Sequence, residues 1–228
     1  MCPPIRMNPA ARVSLSFLQR RGQAAARVSD LAEHNRTTVA AIHAAAAPTF
    51  ARLANETAPA HVAQVDQLFP TPPAVAARMA SLVPSWARRI LEPSAGTGRL
   101  LDALADLGRP FDTVAVEVSR ELSPHLFNKY PSARLFVRDF LSCSVEDLGG
   151  AFDCVVMNPP FRRGLDVQHI LHARRFLKPG GLLISLCYGG IVQAKGLRPI
   201  ATSWEVLPPG SFKSEGTSAE TVLLTLAG

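Results

Sequence analysis

From residue 69 onward, short runs of apolar residues alternate with longer segments whose apolar positions recur at helical spacing. Strands that are apolar throughout are typical of strands buried on both faces, and helices between them indicate a mostly parallel sheet. The pattern predicts strands at residues 88–93, 112–118, 133–139, 152–158, 182–188, 203–208 and 220–228. It predicts helices at 97–108, 119–130 and 166–181. The last two strands are joined by a turn-rich loop, which favours an antiparallel pair at one edge of the sheet.

The chain before this alternating pattern has a different character. Residues 1–14 contain three prolines and no sustained period, whereas residues 15–57 are rich in Ala, Arg and Leu and are predicted to form two helices that break at Ala47-Pro48. We therefore predict an N-terminal helical extension at residues 1–60 and one main domain at 61–228. In the segment "FPTPP", Thr71 is predicted as a helix N-cap with Pro72 at the first helical position.

Composition and charge narrow the choice of partners. Hydrophobic residues make up 47% of the 228, which is enough for a substantial core. The net charge is +6, and residues 1–60 carry seven Arg against three acids. A modest basic surplus fits a polyanionic partner such as a nucleic acid. The first 28 residues hold five Arg and no acid, which also fits an organelle transit peptide, although an Arg- and Ala-rich bacterial composition is the interpretation we favour.

Cysteine and histidine usage indicates neither a disulfide framework nor a metal site. The four cysteines form no C-x-x-C pair, and Cys154 and Cys187 lie in apolar runs, so they are predicted to be buried thiols in a reducing, cytoplasmic setting. His169 and His172 are one helical turn apart but have no third ligand in view, so no metal is predicted. Apolar runs of about 18 residues are absent, so no membrane span is expected.

Acidic and glycine-rich positions recur where the predicted strands end. "LEPSAGTG", residues 91–98, joins a strand to a helix, and Gly96 and Gly98 allow close approach of a ligand to the backbone. The same residues could also be a plain tight turn. Glu117 ends the second strand and could accept hydrogen bonds from ribose hydroxyls, or cap the next helix. Asp139 and Phe140 follow the third strand, where they could contact an amino group and an aromatic ring.

The fourth strand runs into "NPPF", residues 158–161, and these motifs together carry a resemblance. In this order and spacing, "EPSAGTG", the acid about 20 residues later, "DF" and "NPPF" resemble the class I S-adenosylmethionine-dependent methyltransferases. More narrowly, they are similar to the group that methylates N6 of adenine in DNA. The resemblance covers about residues 68–228. It implies a Rossmann-like α/β fold with a seven-stranded, mostly parallel sheet and an antiparallel edge strand.

The resemblance also implies roles for individual residues. S-adenosylmethionine is the implied cofactor, and the positions expected to bind it are Thr71, Glu92, Pro93, Ser94, Ala95, Gly96, Gly98, Glu117, Val118, Asp139, Phe140 and Asn158. The implied catalytic residues are Asn158, Pro159, Pro160 and Phe161. Arg162, Arg163 and Lys213 are expected at the substrate, with Ser214 as a further contact.

The chemistry of an exocyclic amine explains why such residues would stand together. Its lone pair is delocalised into the base, so acceptors on its N–H bonds are needed to localise the pair on nitrogen. The Asn158 side-chain oxygen and the Pro159 carbonyl would be those acceptors, with the diproline fixing the direction of the carbonyl. Phe161 would stack on the base, which must leave a duplex at a cost of a few kcal/mol. Positioning would supply roughly 7–11 kcal/mol of barrier lowering.

Other functions fit the same residues. Only 67 residues follow Phe161, so a separate recognition domain is expected only if residues 1–60 build one. An RNA base methyltransferase is the main alternative. Methylation of a protein glutamine is a further one, although Tyr rather than Phe is usual after "NPP" there. A binding protein that kept the fold without the activity is the alternative from another class.

Overall fold

The computed structural model describes residues 69–228, and these form an α/β domain built on one sheet. Its strands are β1 (Arg89–Glu92), β2 (Asp112–Glu117), β3 (Arg134–Val137), β4 (Phe152–Met157), β5 (Leu177–Tyr188), β6 (Ser203–Val206) and β7 (Thr221–Ala227). Its helices are α1 (Pro73–Ser81), α2 (Arg99–Ala105), α3 (Ser123–Lys129), α4 (Leu165–Arg174) and α5 (Ile191–Gly196). The predicted N-terminal helices and the boundary at residue 60 lie outside the described residues.

The seven strands of the described region are arranged in the order β3-β2-β1-β4-β5-β7-β6. Neighbours from β3 through β5 are parallel, whereas β7 is antiparallel to both β5 and β6. This confirms the predicted mostly parallel sheet and the antiparallel final pair. The order of the strands reverses at β1, because β2 and β3 are added on one side of it and β4 on the other. In such folds, ligands bind at the carboxyl ends of the two strands that flank this reversal, which here are β1 and β4.

Both faces of the sheet are covered, which explains the continuously apolar strands. Leu91 and Val155 pack on one side with Ile170 of α4. Their neighbours Ile90 and Cys154 pack on the other side with α1 and α2. The buried Cys154 and Cys187 are both 0% exposed, as predicted from the apolar runs that contain them. The burial raises the pKa of the Cys154 thiol to about 12.

Two predicted boundaries are wrong. Helix α4 ends at Arg174 rather than near Gly181, and β5 already begins at Leu177. Leu177 pairs with Phe152, whose N–H donates to the Phe176 carbonyl at 2.8 Å. Pro179 also favours extended backbone at the residue before it. The apolar residues there resembled a continued helical stripe, but the pairing with β4 decides their structure.

The start of α1 differs from the prediction as well. Pro72 occupies the N-cap position and Pro73 the first helical position, so Thr71 is not the cap. The Thr71 hydroxyl instead accepts a hydrogen bond from the side chain of Asn158.

Two other helices also differ from the prediction. Helix α3 is shorter than predicted, and α5 was not predicted. The loop between β6 and β7 contains a short 3-10 turn at Lys213–Glu215.

Across residues 69–228, no helix is long and apolar enough to cross a membrane. In the same part of the chain, no group of three or more His, Cys, Asp or Glu side chains is placed to hold a metal ion.

Candidate functional site

The carboxyl edge of four adjacent strands brings the sequence motifs together. In sheet order, Asp139 follows β3, Glu117 ends β2, Glu92 ends β1 and Asn158 follows β4. A pocket at this edge is lined by Phe69, Pro70, Thr71, Glu92, Ser94, Ala95, Gly96, Thr97, Arg99, Leu100 and Asn158. The residues before α1, the glycine-rich turn and the residue after β4 therefore share one concave surface.

Glu92 is an acid in the floor of this pocket. It is 0% exposed, and its Oε1 atom accepts a hydrogen bond from the Ser94 N–H at 3.0 Å. Its Oε2 atom is buried and has no hydrogen-bond partner in the described structure. Burial raises the pKa of Glu92 to about 8, and the negative charge of Glu117 contributes in the same direction, against the lowering effect of the Ser94 N–H. A cationic ligand group would satisfy this carboxyl.

The glycine-rich turn is shaped by Glu117 and Tyr130. Gly96 donates its N–H to Glu117 Oε2 at 2.6 Å, and Ser119 donates to Oε1 of the same carboxylate at 2.7 Å. The Gly98 N–H donates to the Ala95 carbonyl, so the N–H groups of Gly96 and Gly98 both have acceptors within the protein. The Tyr130 hydroxyl lies 2.8 Å from the Gly98 carbonyl. The carboxylate thus joins the turn after β1 to the turn after β2.

Gly98 has no room for a side chain. Its φ of 86° lies in the left-handed region. A Cβ atom at this position would overlap the ring of Tyr130, which packs across the turn. The requirement for glycine therefore has two separate causes.

Asn158 faces the pocket from β4, and its amide nitrogen is held in place. Its Nδ2 atom donates to the Phe69 carbonyl at 3.0 Å and to Thr71 Oγ1 at 3.1 Å. Thr71 is only 3% exposed. Because both N–H bonds of the amide have acceptors, the Oδ1 atom is the group that Asn158 can offer to a further donor.

The residues after Asn158 form the rim of the site. Pro159 is buried, Pro160 and Phe161 are partly buried, and Phe161 packs against the core side that contains Val156. Arg162 and Arg163 are exposed in a short turn before α4. Arg163 has a φ of 52°, an unfavourable conformation for a residue with a side chain. The backbone therefore turns sharply directly after the "NPPF" motif.

The remaining predicted positions do not line the pocket, and they differ in how exposed they are. Pro93 is buried beside Ser94, and Val118 is exposed beyond Glu117. Asp139 is exposed and accepts from the Leu141 N–H. Phe140 is only 2% exposed, with its ring 4.9 Å from that of His172 and 5.1 Å from that of Phe176, so this ring is part of the core. Lys213 and Ser214 are exposed.

Sequence reasoning missed several residues that shape the pocket. Phe69 contributes a carbonyl, and Thr97 contributes a buried hydroxyl that lacks a partner in the described structure. Tyr130 holds the glycine turn from 32 residues away. The "FPTPP" and "EPSAGTG" motifs contained the signal for Phe69 and Thr97, whereas nothing local indicated Tyr130.

Comparison with known proteins gives the site a family context. A family model described as "Methyltransferase small domain" matches residues 79–195, which is just over half of the chain. Among curated proteins, no sequence matches.

Solved structures share the fold at low sequence identity. The glycopeptide N-methyltransferase MtfA, in complex with S-adenosylmethionine, is 13% identical with a TM-score of 0.53, over 71% of this chain and 96% of that one. A proposed RNA methyltransferase from Pyrococcus horikoshii is 18% identical with a TM-score of 0.55, over 71% and 87%. A chain of the type I R-M system is 19% identical with a TM-score of 0.53, over 70% and 42%.

Proposed function

Because this chain belongs to the methyltransferase small domain family and its cofactor is S-adenosylmethionine, we propose that it methylates the N6 amino group of adenine in DNA. The observation that carries the proposal is the orientation of Asn158. Its amide nitrogen is bonded to Phe69 and Thr71 at the pocket, which leaves its side-chain oxygen as the acceptor for an incoming amine.

The pocket suits the methionine end of the cofactor. Buried atoms that lack partners in the described structure include a carboxylate oxygen of Glu92 and the hydroxyls of Ser94 and Thr97. Glu92 would accept from the ammonium group, and the two hydroxyls would donate to the carboxylate of the cofactor. Glu117 would accept from the ribose hydroxyls with the lone pairs that Gly96 and Ser119 leave available. Val118 and Asp139 would lie at the adenine, whereas Phe140 would contribute through its backbone.

Bound S-adenosylmethionine supplies a methyl group on a positively charged sulfur. The task of the protein is to present an amine nitrogen in line with that methyl group. Asn158 Oδ1 and the Pro159 carbonyl would each accept a hydrogen bond from one N–H group of the amine. These two hydrogen bonds would localise the lone pair on the amine nitrogen. Pro160 would fix the direction of the Pro159 carbonyl, and Phe161 would cover the face of the base. As the methyl group moves to nitrogen, its bond to sulfur would break and the rest of the cofactor would leave as a neutral thioether. The nitrogen becomes far more acidic once it is alkylated, so it would lose its proton to solvent and no strong base is needed.

The charge at the rim supports a nucleic-acid substrate. Arg162 and Arg163 are exposed directly after the motif, and Lys213 is exposed on the loop between β6 and β7. Such side chains would contact phosphates and hold the strand in register. They would not by themselves select a sequence.

An RNA base is the second candidate substrate. The fold is shared with a proposed RNA methyltransferase and with a chain of the type I R-M system, and the acceptors at Asn158 and Pro159 would suit an adenine or guanine amine in either polymer. A protein glutamine amide is the third candidate, since it presents a similar planar amine. The held amide of Asn158 favours a catalytic protein over a binding protein that lost the activity.

The test is to incubate the protein with methyl-labelled cofactor and, separately, duplex DNA, single-stranded DNA, total RNA and cell protein. We expect label in DNA, and N6-methyladenine after digestion to nucleosides. Label confined to RNA or to protein would replace DNA with that substrate. No transfer to any of these pools, with cofactor bound normally, would refute the proposed function.

A further inference from the structure

Helix α5 and the end of β5 lie beside the "NPPF" loop. Met157 pairs with Ser185 in parallel register, so Tyr188 extends to the same edge of the sheet as the residues after Asn158. A Cβ atom on Gly164, in the turn after Phe161, would lie 3.9 Å from a methyl carbon of Val192. The first turn of α5 therefore lies next to the "NPPF" loop, residues 158–161, which is the proposed catalytic loop.

A buried aspartate fixes this arrangement. Asp166 is 0% exposed, and its Oδ2 atom accepts from the Tyr188 N–H at 3.0 Å. Gln193, only 3% exposed, places its amide nitrogen 3.0 Å from each carboxylate oxygen. Burying a carboxylate is costly unless it is hydrogen-bonded in this way. The start of α4, the end of β5 and α5 are consequently held together by buried hydrogen bonds.

The segment held by Asp166 exposes apolar side chains. Tyr188 is 43% exposed, Ile191 74% and Val192 63%. We call these three side chains the apolar platform. Single exposed apolar residues are common and need no explanation. Here, however, three of them lie within five residues on a backbone that is fixed by a buried carboxylate, beside the proposed catalytic loop.

The surroundings of the apolar platform are positively charged. Arg162 and Arg163 on the loop, and Lys195 and Arg198 at and after α5, are exposed. Between residues 158 and 200 the one acid is Asp166, which is buried and hydrogen-bonded. Glu220, whose side chain lies against Gly189, is an acid contributed to this area by the segment before β7. The four exposed cations of this area outnumber its exposed acid, Glu220. The resulting positive charge complements a phosphate backbone.

We propose that the apolar platform binds an unpaired stretch of the DNA strand next to the target adenine, with a neighbouring base stacked on Tyr188. This inference rests on the proposed function. Aromatic and apolar side chains beside cations are the pattern that recognises single strands, because the faces of unpaired bases are available for stacking. In a duplex the bases stack on one another, so only the phosphate groups could contact this surface. The substrate class is therefore single-stranded or locally opened DNA.

Binding to short labelled strands tests the inference. The probe is a fluorescein-labelled DNA of 20 nucleotides with one central adenine among pyrimidines, used single-stranded, as a duplex, and as the RNA of the same sequence. By fluorescence anisotropy, we expect the wild-type protein to bind the single-stranded DNA about 10-fold more tightly than the duplex. Tyr188→Ala and the double variant Ile191→Ser/Val192→Ser should each raise the Kd for the single strand about 10-fold.

The controls separate loss of contact from loss of structure. Val206, on β6, is 56% exposed and gives the matched variant Val206→Ser, which should bind as the wild type does. Tyr188→Phe keeps the ring and should retain most of the affinity. All variants should keep the wild-type melting temperature and cofactor affinity. Equal binding of duplex and single strand, unchanged affinity in both platform variants, or tighter binding of RNA than of DNA would overturn the inference.

Methyl transfer to the same strands separates this inference from the proposed function. If the wild-type protein methylates the DNA but the platform variants bind it normally, the platform inference alone fails. If the platform variants lose single-strand binding but the wild-type protein methylates no adenine, the proposed function fails and the binding surface stands.

Discussion

The amide nitrogen of Asn158 donates a hydrogen bond to the hydroxyl of Thr71 at 3.1 Å, across 87 residues of sequence. This contact joins the segment before α1 to the residue after β4, and a second bond from the same nitrogen reaches the Phe69 carbonyl. The two bonds fix which end of the amide is free. The segment before the first helix therefore orients the residue that is proposed to hold the target amine.

Replacing Thr71 with Val should lower the rate of transfer about 3- to 10-fold. The substitution keeps the shape of the side chain but removes the acceptor for Asn158, and such a hydrogen bond contributes about 0.5–1.5 kcal/mol. Single-turnover measurements with labelled cofactor would report the rate. Thr71→Ser, which keeps the hydroxyl, is the matched control, and equal rates in the Val and Ser variants would contradict this role.

Asn158→Ala should reduce transfer roughly 100-fold or more, as losing a positioned polar group commonly does. The affinity for S-adenosylmethionine, measured by calorimetry, should stay within a few-fold of wild type, because the pocket keeps Glu92, Ser94 and Gly96. If affinity and transfer fell equally, Asn158 would serve the structure of the pocket rather than the reaction.

Glu92 should make the stability of the cofactor-free protein fall as pH rises. Its pKa is about 8 when folded against an ordinary value of 4.5. Below pH 4.5 the carboxyl is protonated in both states. As pH rises from there to about 8, the unfolded chain loses its proton and the folded protein keeps it. Over this range the free energy of unfolding should decline by about 1.4 kcal/mol per pH unit, and the loss is complete above pH 8.

Glu92→Gln tests this assignment by removing the titration. The variant keeps an acceptor for the Ser94 N–H, so urea unfolding should show it to be more stable than wild type at pH 8, with the difference vanishing near pH 4.5. It should also bind S-adenosylmethionine more weakly, because the ammonium group loses its counter-charge. A constant stability difference at every pH would show that the Glu92 proton is not responsible.

Gly98→Ala should weaken cofactor binding about 10-fold or more and destabilise the fold. A matched control is Gly108→Ala, because Gly108 also has a positive φ, of 65°, but open space where its Cβ would lie. The control should cost only the left-handed conformation, about 1–2 kcal/mol. The excess loss in Gly98→Ala would then measure the overlap with Tyr130. Equal losses of stability in the two variants, measured by thermal unfolding, would rule out a role for that overlap.

The sequence predicted the sheet well because apolar strands and the carboxyl edge follow general rules. Glu92, Glu117 and Asn158 end neighbouring parallel strands, so their proximity follows from the order of the strands. The contacts that shape the site were not predictable, since they depend on tertiary packing. Tyr130 reaches Gly98 across 32 residues, and Asp166 reaches Gln193 across 27, without any local pattern.

Periodicity also failed where two structures share one pattern. Phe176 and Leu177 continue the apolar stripe of α4, yet Leu177 pairs with Phe152 and belongs to β5. Phe140 follows an acid at a strand end, which suggested a ring at the ligand, but the same ring fills the core beneath α4. An apolar residue next to a site can serve either purpose, and only its surroundings decide which.

The carboxylate of Glu117 accepts one hydrogen bond from the turn after β1 and one from the turn after β2. A single carboxylate thus fixes two loops that follow different strands. Shortening the Glu117 side chain by one carbon would weaken its hydrogen bonds to both loops, and a compensating change in one loop would not restore the bond to the other. Evolution of a new ligand preference in this pocket would therefore have to keep the Glu117 carboxylate in place or alter both loops together.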